Sequence, residues 1–177
     1  EIAHLTVYVP DPKFRNFINR GWMALYPDGE RPARKTNQVP LPEGMFVQLE
    51  AIGVPGEKRT SLEIPGLAHR DPLPMGVKAG NFVFSSVISP QDPKTGHNPP
   101  GGALVQIKRA FENVRLLLAR EDRPFASAHT LWVFMKNFDH QPAMVDEWVA
   151  GYPHEGDRPA RKTVRYELGV NTEIQIH

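Results

Sequence analysis

The chain has 177 residues, of which 40% are apolar, and this size can bury the core of one or two small domains. Its 21 Lys and Arg residues nearly balance its 20 Asp and Glu residues, which argues against recruitment by bulk charge to nucleic acid or to a membrane surface. The sequence has no Cys, which excludes disulfides and thiolate chemistry, and no apolar run long enough to span a bilayer. We therefore expect a globular cytoplasmic protein.

The first third of the chain contains three runs that predict strands and one that predicts a helix. Branched and aromatic side chains in the strand runs are typical of buried strands, and turn-forming residues end them. The helix is predicted between the first and second strands from the spacing of its apolar residues. The predicted strands are 5–9, 33–39 and 45–53, and the apolar helix positions are Phe14, Phe17, Ile18, Met23 and Leu25.

A segment rich in Gly, Pro and charge, 55–61, predicts a linker, and a complete domain is expected over 62–177. Within that domain, a predicted strand at 81–88 precedes a turn-rich loop at 91–96. The next segment predicts an amphipathic helix from apolar residues at three- and four-residue steps, namely Leu104, Ile107, Phe111, Val114 and Leu118. Strands at 130–134, 160–166 and 172–176 and a helix around Met144 and Trp148 complete an α+β arrangement with helices on one face.

An internal repeat is the most informative feature. The segment 26–36 recurs at 152–163 with one extra residue, and both copies contain Arg-Pro-Ala-Arg-Lys-Thr. The match extends to three further pairs, which are Ala3-His4 with Ala128-His129, Trp22 with Trp148, and Gln48 with Gln175. The offset grows from 125 to 127 residues, which is the size of a domain. Residues 1–54 are therefore expected to be the C-terminal half of a first domain, and the repeated Trp residues are expected to pack in cores.

These segments resemble proteins of the Rid (YjgF) family. The strand at 81–86 and the turn at 92–96 are similar to the front of the family domain, and the strand at 129–134, the Arg-Pro-Ala-Arg-Lys-Thr segment and the closing strand are similar to its back half. The resemblance implies an α+β, chorismate-mutase-like (YjgF-like) fold with a mixed sheet and two helices on one face of each domain. It also implies trimers of domains with clefts between neighbours.

The resemblance assigns the chemistry to the Arg that follows Pro-Ala, here Arg34 and Arg161. Family members are similar in using this guanidinium to hold the carboxylate of an unstable 2-amino enamine or 2-imino acid. Arg suits the task because it stays charged and presents a planar fork to a planar carboxylate. Water then replaces ammonia at the C=N carbon and gives a 2-oxo acid, with no metal and no other cofactor. We expect an enamine or imine deaminase, with aminomuconate-like acids among the larger conjugated substrates.

Two departures from the family pattern bear on this activity. Gln48 and Gln175 stand where many family members have a Glu that handles the water, and a Gln amide can orient a water but cannot take its proton. Val87 stands where a Gly often lets the backbone approach the ligand, and Leu73 stands where an aromatic residue is often found. The candidate catalytic residues are thus Arg34, Arg161, Gln48 and Gln175, and the candidate substrate-binding residues are Ser86, Val87, Leu73 and Thr163.

Two other function classes stay open. A carboxylate-binding module without turnover is favoured by the two Gln residues, and an endoribonuclease-like protein is suggested by the basic residues Arg31, Arg34 and Lys35 and their repeat. The charge balance and the lack of interleaved aromatic residues argue against nucleic acid as a partner. No His pair has metal-ligand spacing on a helix, so no metal site is predicted, and His4 and His129 are expected to be structural.

The half domain needs a partner. Residues 1–54 lack front strands of their own and would expose sheet edges and an apolar face. We expect the missing front half upstream in a longer protein, as a cleaved segment, or from a neighbouring chain by domain swapping. The predicted partners are a small carboxylate-bearing imine or enamine and other copies of the chain in a trimer, with no membrane. Arg34 is expected near an interface between family domains.

Overall fold

The computed structural model describes all 177 residues and contains nine strands and three α-helices. The chain divides into two compact units, the first formed by Glu1–Glu63 with Ala68–Ser86 and the second by Ile64–Leu67 with Val87–His177. In chain order the elements are β1 (Ile2–Val9), α1 (Arg15–Leu25), β2 (Ala33–Gln38), β3 (Gln48–Gly53), β4 (Arg59–Leu62), β5 (Gly76–Ala79), β6 (Phe82–Ser85), α2 (Ala103–Leu118), β7 (Thr130–Met135), α3 (Gln141–Gly151), β8 (Ala160–Arg165) and β9 (Ile174–Ile176).

The first unit contains two three-stranded sheets, with strand orders β2-β1-β3 and β4-β5-β6. β1 pairs in parallel with β2 and antiparallel with β3, whereas β4, β5 and β6 form an antiparallel meander. Strands of the two sheets meet in one fully buried cluster of small side chains, which are those of Ala3, Ala33, Val77 and Ala79. Their small size allows the strands to approach closely. Residues 59–86 of the sequence therefore supply strands to the unit that contains the expected half domain.

The second unit contains one sheet with the order β8-β7-β9, in which β7 is parallel to β8 and antiparallel to β9. The predicted amphipathic helix is confirmed as α2, which packs against α3 and β9. Its buried face includes Ile107, Phe111 and Leu117, which are each at most 1% exposed. Burying such side chains stabilises the unit by about 1.5–3 kcal/mol each, so α2 is the main apolar support of the second sheet.

The repeat in the sequence is also a repeat in the structure. Each copy runs strand, helix, strand, strand, as β1-α1-β2-β3 and as β7-α3-β8-β9. The helices begin 126 residues apart, at Arg15 and Gln141, and each follows a short 3-10 turn that is capped by an Asp or Asn side chain. The two copies therefore share their local folding signals as well as their strand order.

Strand register corrects the proposed match between His4 and His129. His4 lies opposite Ala33 in the ladder of β1 and β2, and the residue opposite Ala160 in the ladder of β7 and β8 is Thr130. Thr130 therefore takes the place of His4, and His129 precedes the strand. The two histidines share a sequence neighbourhood but no structural role.

Several predicted boundaries shift by a few residues. β3 begins at Gln48 and not at 45, and the predicted front strand is the shorter β6. The predicted linker, 55–61, contains the first residues of β4. The division into a half domain at 1–54 and a complete domain at 62–177 stays a prediction, because the compact units group the chain by contact and not by sequence order. None of the helices is long and apolar enough to cross a membrane.

Candidate functional site

Arg34 is almost completely enclosed in the first unit, with 2% of its surface exposed. Its guanidinium lies over the ring of Trp22, with Cζ 4.9 Å from the ring centroid. Nη2 donates to Asn19 Oδ1 at 2.6 Å and to Asp71 Oδ2 at 3.1 Å, while Nη1 is buried without a partner. The backbone N–H donates to Ser86 Oγ at 3.0 Å. An aromatic face, an amide and a carboxylate thus fix this Arg from within its own unit.

Asp71 is the acidic centre of this cluster. Asn19 Nδ2 donates to Asp71 Oδ1 at 3.0 Å, and Nε of Arg15 donates to Oδ2. Burial acts to raise the pKa of Asp71, but the hydrogen bond from Asn19 and the charges of Arg15 and Arg34 outweigh it and hold the pKa below its usual range. Asp71 is therefore ionised at neutral pH and forms a largely buried ion pair with Arg34.

Arg161 has the same strand position in the second unit but different surroundings. Its Cζ lies 4.2 Å from the centroid of Trp148, and Nη1 contacts Met144 Sδ at 3.8 Å. No carboxylate pairs with it, and its side chain is half-buried. Burial lowers the pKa of Arg161, yet a guanidinium stays protonated at any physiological pH. Arg161 is thus a cation with an aromatic platform and no internal counter-ion.

The structure does not bring the Arg and Gln of one copy together. Arg161 lies opposite Leu131 on β7, and Gln175 lies opposite Phe134. These two positions on β7 differ by three residues, and side chains of a strand alternate between faces, so Arg161 and Gln175 project from opposite faces of the sheet. Gln175 Nε2 donates to Ser89 Oγ at 3.2 Å.

The first copy has the same geometry. Arg34 lies opposite Leu5 and Gln48 lies opposite Tyr8, again three residues apart on the central strand. Gln48 is exposed and lines an open groove with Tyr8 and Glu50. In each copy, the Arg and the Gln thus project from opposite faces of the sheet.

The four predicted substrate-binding residues have unequal positions. Thr163 lies opposite Val133, two residues along β8 from Arg161, and so shares the face of that Arg. Ser86 is fully buried, and its Oγ accepts a hydrogen bond from the backbone N–H of Arg34. Leu73 and Val87 are half-buried, and Leu73 donates its N–H to the carbonyl of Asp71 at 2.8 Å. Of the four, Thr163 thus shares a strand face with Arg161, and both of these side chains are half-buried.

The basic cluster that suggested RNA contacts is largely internal in the first copy. Arg34 is 2% exposed and Lys35 is 3% exposed. Burial, together with the charge of Arg15, lowers the pKa of Lys35 to about 7. Phosphate contacts require exposed cations, so these two residues are not available to an RNA backbone. No group of three or more His, Asp or Glu side chains is arranged to hold a metal ion.

Comparison with known proteins identifies the family. No family model matches the chain. A RutC family protein from Pyrococcus abyssi is 30% identical over 93 residues, which cover 52% of this chain and 72% of that protein. A RutC family protein from Pyrococcus horikoshii is 31% identical, with the same coverage of both chains. The chain belongs to the Rid (YjgF, RutC) family.

Solved structures of Rid proteins share the fold. RidA from the Antarctic bacterium Psychrobacter matches with a TM-score of 0.60 and 21% identity, covering 66% of this chain and 94% of that one. The YjgF gene product of E. coli matches with a TM-score of 0.59 and 22% identity, over the same shares of the two chains. A candidate endoribonuclease from Thermotoga maritima matches with a TM-score of 0.60 and 25% identity, covering 66% and 92%. The predicted α+β, YjgF-like fold is confirmed, and Rid family membership supports a general YjgF-like role.

Two features of the site were not predicted as functional. Trp22 and Trp148 were expected to be core residues, and Trp22 is buried while Trp148 is half-buried; each also forms the platform under the Arg of its copy. The available signal was their recurrence within the same repeat, at an offset of 126 residues against 127 for the Arg residues. Asp71 was not singled out, because it lies in a Pro-rich loop outside the repeat and carries no local pattern.

Proposed function

We propose that this Rid protein is an enamine or imine deaminase that hydrolyses 2-imino acids, and the 2-amino enamines in equilibrium with them, to 2-oxo acids and ammonia. In the hydrolysis, one water adds to the C=N carbon, the C–N bond breaks, and the nitrogen leaves as ammonia while the oxygen stays as the new carbonyl. No oxidant, reductant or metal is needed for this balance.

The observation that carries the proposal is the environment of Arg161. Its guanidinium rests on Trp148 at 4.2 Å and has no internal carboxylate partner. A planar fork of this kind binds a carboxylate through two parallel hydrogen bonds, each stronger than a neutral one. The indole face orients the fork without competing for its donors. Arg161 is therefore equipped to take the carboxylate of an imino acid.

Orientation would supply much of the catalysis. An imine carbon conjugated to an anchored carboxylate is already electrophilic, so fixing it relative to a water lowers the entropy cost of attack. Thr163, on the same face as Arg161, supplies a hydroxyl that can accept or donate a hydrogen bond. We expect flat, conjugated acids of the aminomuconate-like class among the substrates.

A carboxylate-binding module without turnover is the second candidate, and Gln175 favours it. Gln175 Nε2 is engaged with Ser89 Oγ, and an amide cannot remove a proton from water. Loss of a general base typically costs on the order of a hundredfold to ten-thousandfold in rate. Binding of 2-oxo acids without faster imine hydrolysis would support this module over the deaminase.

The test is ammonia release from a panel of 2-imino acids, small and conjugated, generated in place by an amino-acid oxidase. The chain should raise the initial rate above the spontaneous rate for at least one member. Arg161→Lys keeps the charge and loses the fork, and it should lower that rate by about a hundredfold. Arg165→Lys, at the exposed end of β8, is the matched control and should behave as the native chain. Equal rates with and without protein for every substrate would contradict deamination.

A further inference from the structure

The two Arg residues of the repeat differ in one respect that their sequences do not reveal. Arg34 Nη2 is paired with Asp71 Oδ2 at 3.1 Å, whereas Arg161 has no acidic partner. We propose that Asp71 occupies the carboxylate position of Arg34, so that each chain has one open carboxylate site, at Arg161, and one site closed by its own side chain. This inference rests on the proposed role of the guanidinium as a carboxylate anchor.

The carboxylate of Asp71 is hydrogen-bonded through both of its oxygens, as a bound carboxylate ligand would be. One oxygen accepts from Arg34 and Arg15, and the other accepts from Asn19 Nδ2 at 3.0 Å. Asn19 also accepts from Arg34 Nη2 through Oδ1 at 2.6 Å, which closes a ring of hydrogen bonds. The side chains of Arg34 and Asp71 are only 1% and 12% exposed. A carboxylate from solvent would have to displace this arrangement to reach the same nitrogen.

The free nitrogen of Arg34 does not offer an alternative entry. Nη1 is buried without a hydrogen-bond partner, so it is closed to solvent. A bidentate carboxylate needs two accessible nitrogens on one edge of the guanidinium. With Nη2 taken by Asp71 and Nη1 enclosed, Arg34 cannot receive a substrate in the way that Arg161 can.

The second copy lacks the residues that build this closure. Arg15 and Asn19 lie on α1, and the residues 126 positions later on α3 are Gln141 and Val145. Gln141 has no charge where Arg15 has one. Val145 has no amide, whereas the amide of Asn19 holds both the carboxylate of Asp71 and the guanidinium of Arg34. The Trp platform is retained in both copies. The two copies thus share the Trp platform and differ at the two helix positions that hold Asp71 beside Arg34 in the first copy.

Charge and local concentration favour the closed state of Arg34. The pKa of Asp71 lies below its usual range because the hydrogen bond from Asn19 and the charges of Arg15 and Arg34 outweigh the effect of burial, so the internal ligand is ionised at neutral pH. A ligand on the same chain acts at an effective concentration of about millimolar or more. A free 2-oxo acid at micromolar concentration cannot compete with it.

The number of carboxylate sites per chain tests the inference. Calorimetric titration of the full chain with 2-oxobutanoate should give one site in the native protein and none in Arg161→Gln. Adding Asp71→Ala to Arg161→Gln removes the competing carboxylate and vacates its position beside Arg34 Nη2, and it should restore one site. Circular dichroism would check that each variant is folded.

Two results of the titration would overturn the inference. If Arg161→Gln keeps a site that a further Arg34→Gln removes, Arg34 is open and the inference is wrong, whether or not Asp71→Ala folds. Two sites in the native chain would also overturn it. One site with no acceleration of imine hydrolysis would contradict the proposed deamination while supporting the assignment of one open and one closed Arg.

Discussion

Trp148 lies directly under the guanidinium of Arg161, with 4.2 Å between the ring centroid and Cζ. The first copy repeats this arrangement with Trp22 and Arg34 at 4.9 Å. In both copies the Trp comes from the helix and the Arg from the second strand. The Trp platform is thus a property of the repeated fold, because the same two elements supply its residues in each copy.

Replacing this platform should weaken carboxylate binding without removing it. A cation–π contact contributes about 0.5–2 kcal/mol, so Trp148→Leu should lower the affinity for 2-oxobutanoate by about threefold to thirtyfold. Trp148 Nε1 has no hydrogen-bond partner, so the substitution breaks no hydrogen bond of its own. Trp148→Phe should retain most of the affinity. The matched control is Trp132→Leu, because Trp132 projects from the opposite face of β7. Equal affinity in Trp148→Leu and native protein would show that the platform is only packing.

Gln175 offers a test of the missing base. Arg161 and Gln175 project from opposite faces of one sheet, so we expect them to act together only across a boundary between domains. Gln175→Glu supplies a carboxylate that can take a proton from water, and it should raise the rate of imine hydrolysis at least tenfold. The gain should grow as the pH rises through about 4.3, the ordinary pKa of Glu, and then level off.

Gln175→Met is the control for that experiment, because it keeps the length of the side chain and removes both the amide and any base. It should show no gain. A similar gain in both variants would mean that loss of the hydrogen bond to Ser89, and not proton transfer, changes the rate.

Most of the helices and strands could be predicted from the sequence, because short-range residue patterns determine them. The three-and-four spacing from Leu104 to Leu118 predicted α2, and the branched and aromatic run at 130–134 predicted β7. The repeat added the positions of Arg34 and Arg161 on matching strands, which lie opposite Leu5 and Leu131. These features depend on periodicity and on short-range repetition, which a single sequence contains.

The partner of Arg34 could not be predicted in the same way. Arg34 and Asp71 are 37 residues apart, and their ion pair forms only when the loop before β5 packs against α1 and β2. Nothing around Asp71 distinguishes it from an ordinary Asp before Pro72, which is common in turns. The opposite faces of Arg161 and Gln175 likewise follow from the strand register and not from their spacing of 14 residues in the sequence.

His4 should make the stability of the protein depend on pH. It is 3% exposed and lies beside Phe84, and burial lowers its pKa to about 4 while the charge of Glu50 acts in the opposite direction. The unfolded chain binds a proton at about pH 6.5, so acid favours the unfolded state. The contribution of His4 is complete above about pH 6.5 and is lost as the pH falls towards about 4.

The expected loss is measurable by urea unfolding. Between about pH 7.5 and about pH 5, His4 alone should lower the free energy of unfolding by roughly 2 kcal/mol. In His4→Gln that part of the pH dependence should vanish, although other groups will keep their own. His129→Gln is the matched control, because His129 is exposed, and it should retain the full dependence. The same pH dependence in His4→Gln as in native protein would mean that His4 is accessible to solvent protons in the folded state.

The exposed edge of the first unit leads to a prediction about assembly. β3 is an edge strand, and all of its residues are exposed. The apolar residues along it include Leu49 at 60% and Ile52 at 46% exposure, and Phe46 just before it is 62% exposed. An exposed strand edge with apolar side chains is a ready site for association. We therefore expect copies of the chain to associate through this edge.

Light scattering should give a particle mass of about 60 kDa for a trimer, which is three times the chain mass of 19.9 kDa. Leu49→Lys places a buried charge in the expected contact and should shift the distribution towards single chains at micromolar concentration. Val170→Lys is the matched control, since Val170 is 88% exposed in a loop of the second unit, and it should leave the mass unchanged. A single species of about 20 kDa in the native protein would contradict association, and a trimer unaffected by Leu49→Lys would place the contact elsewhere on the surface.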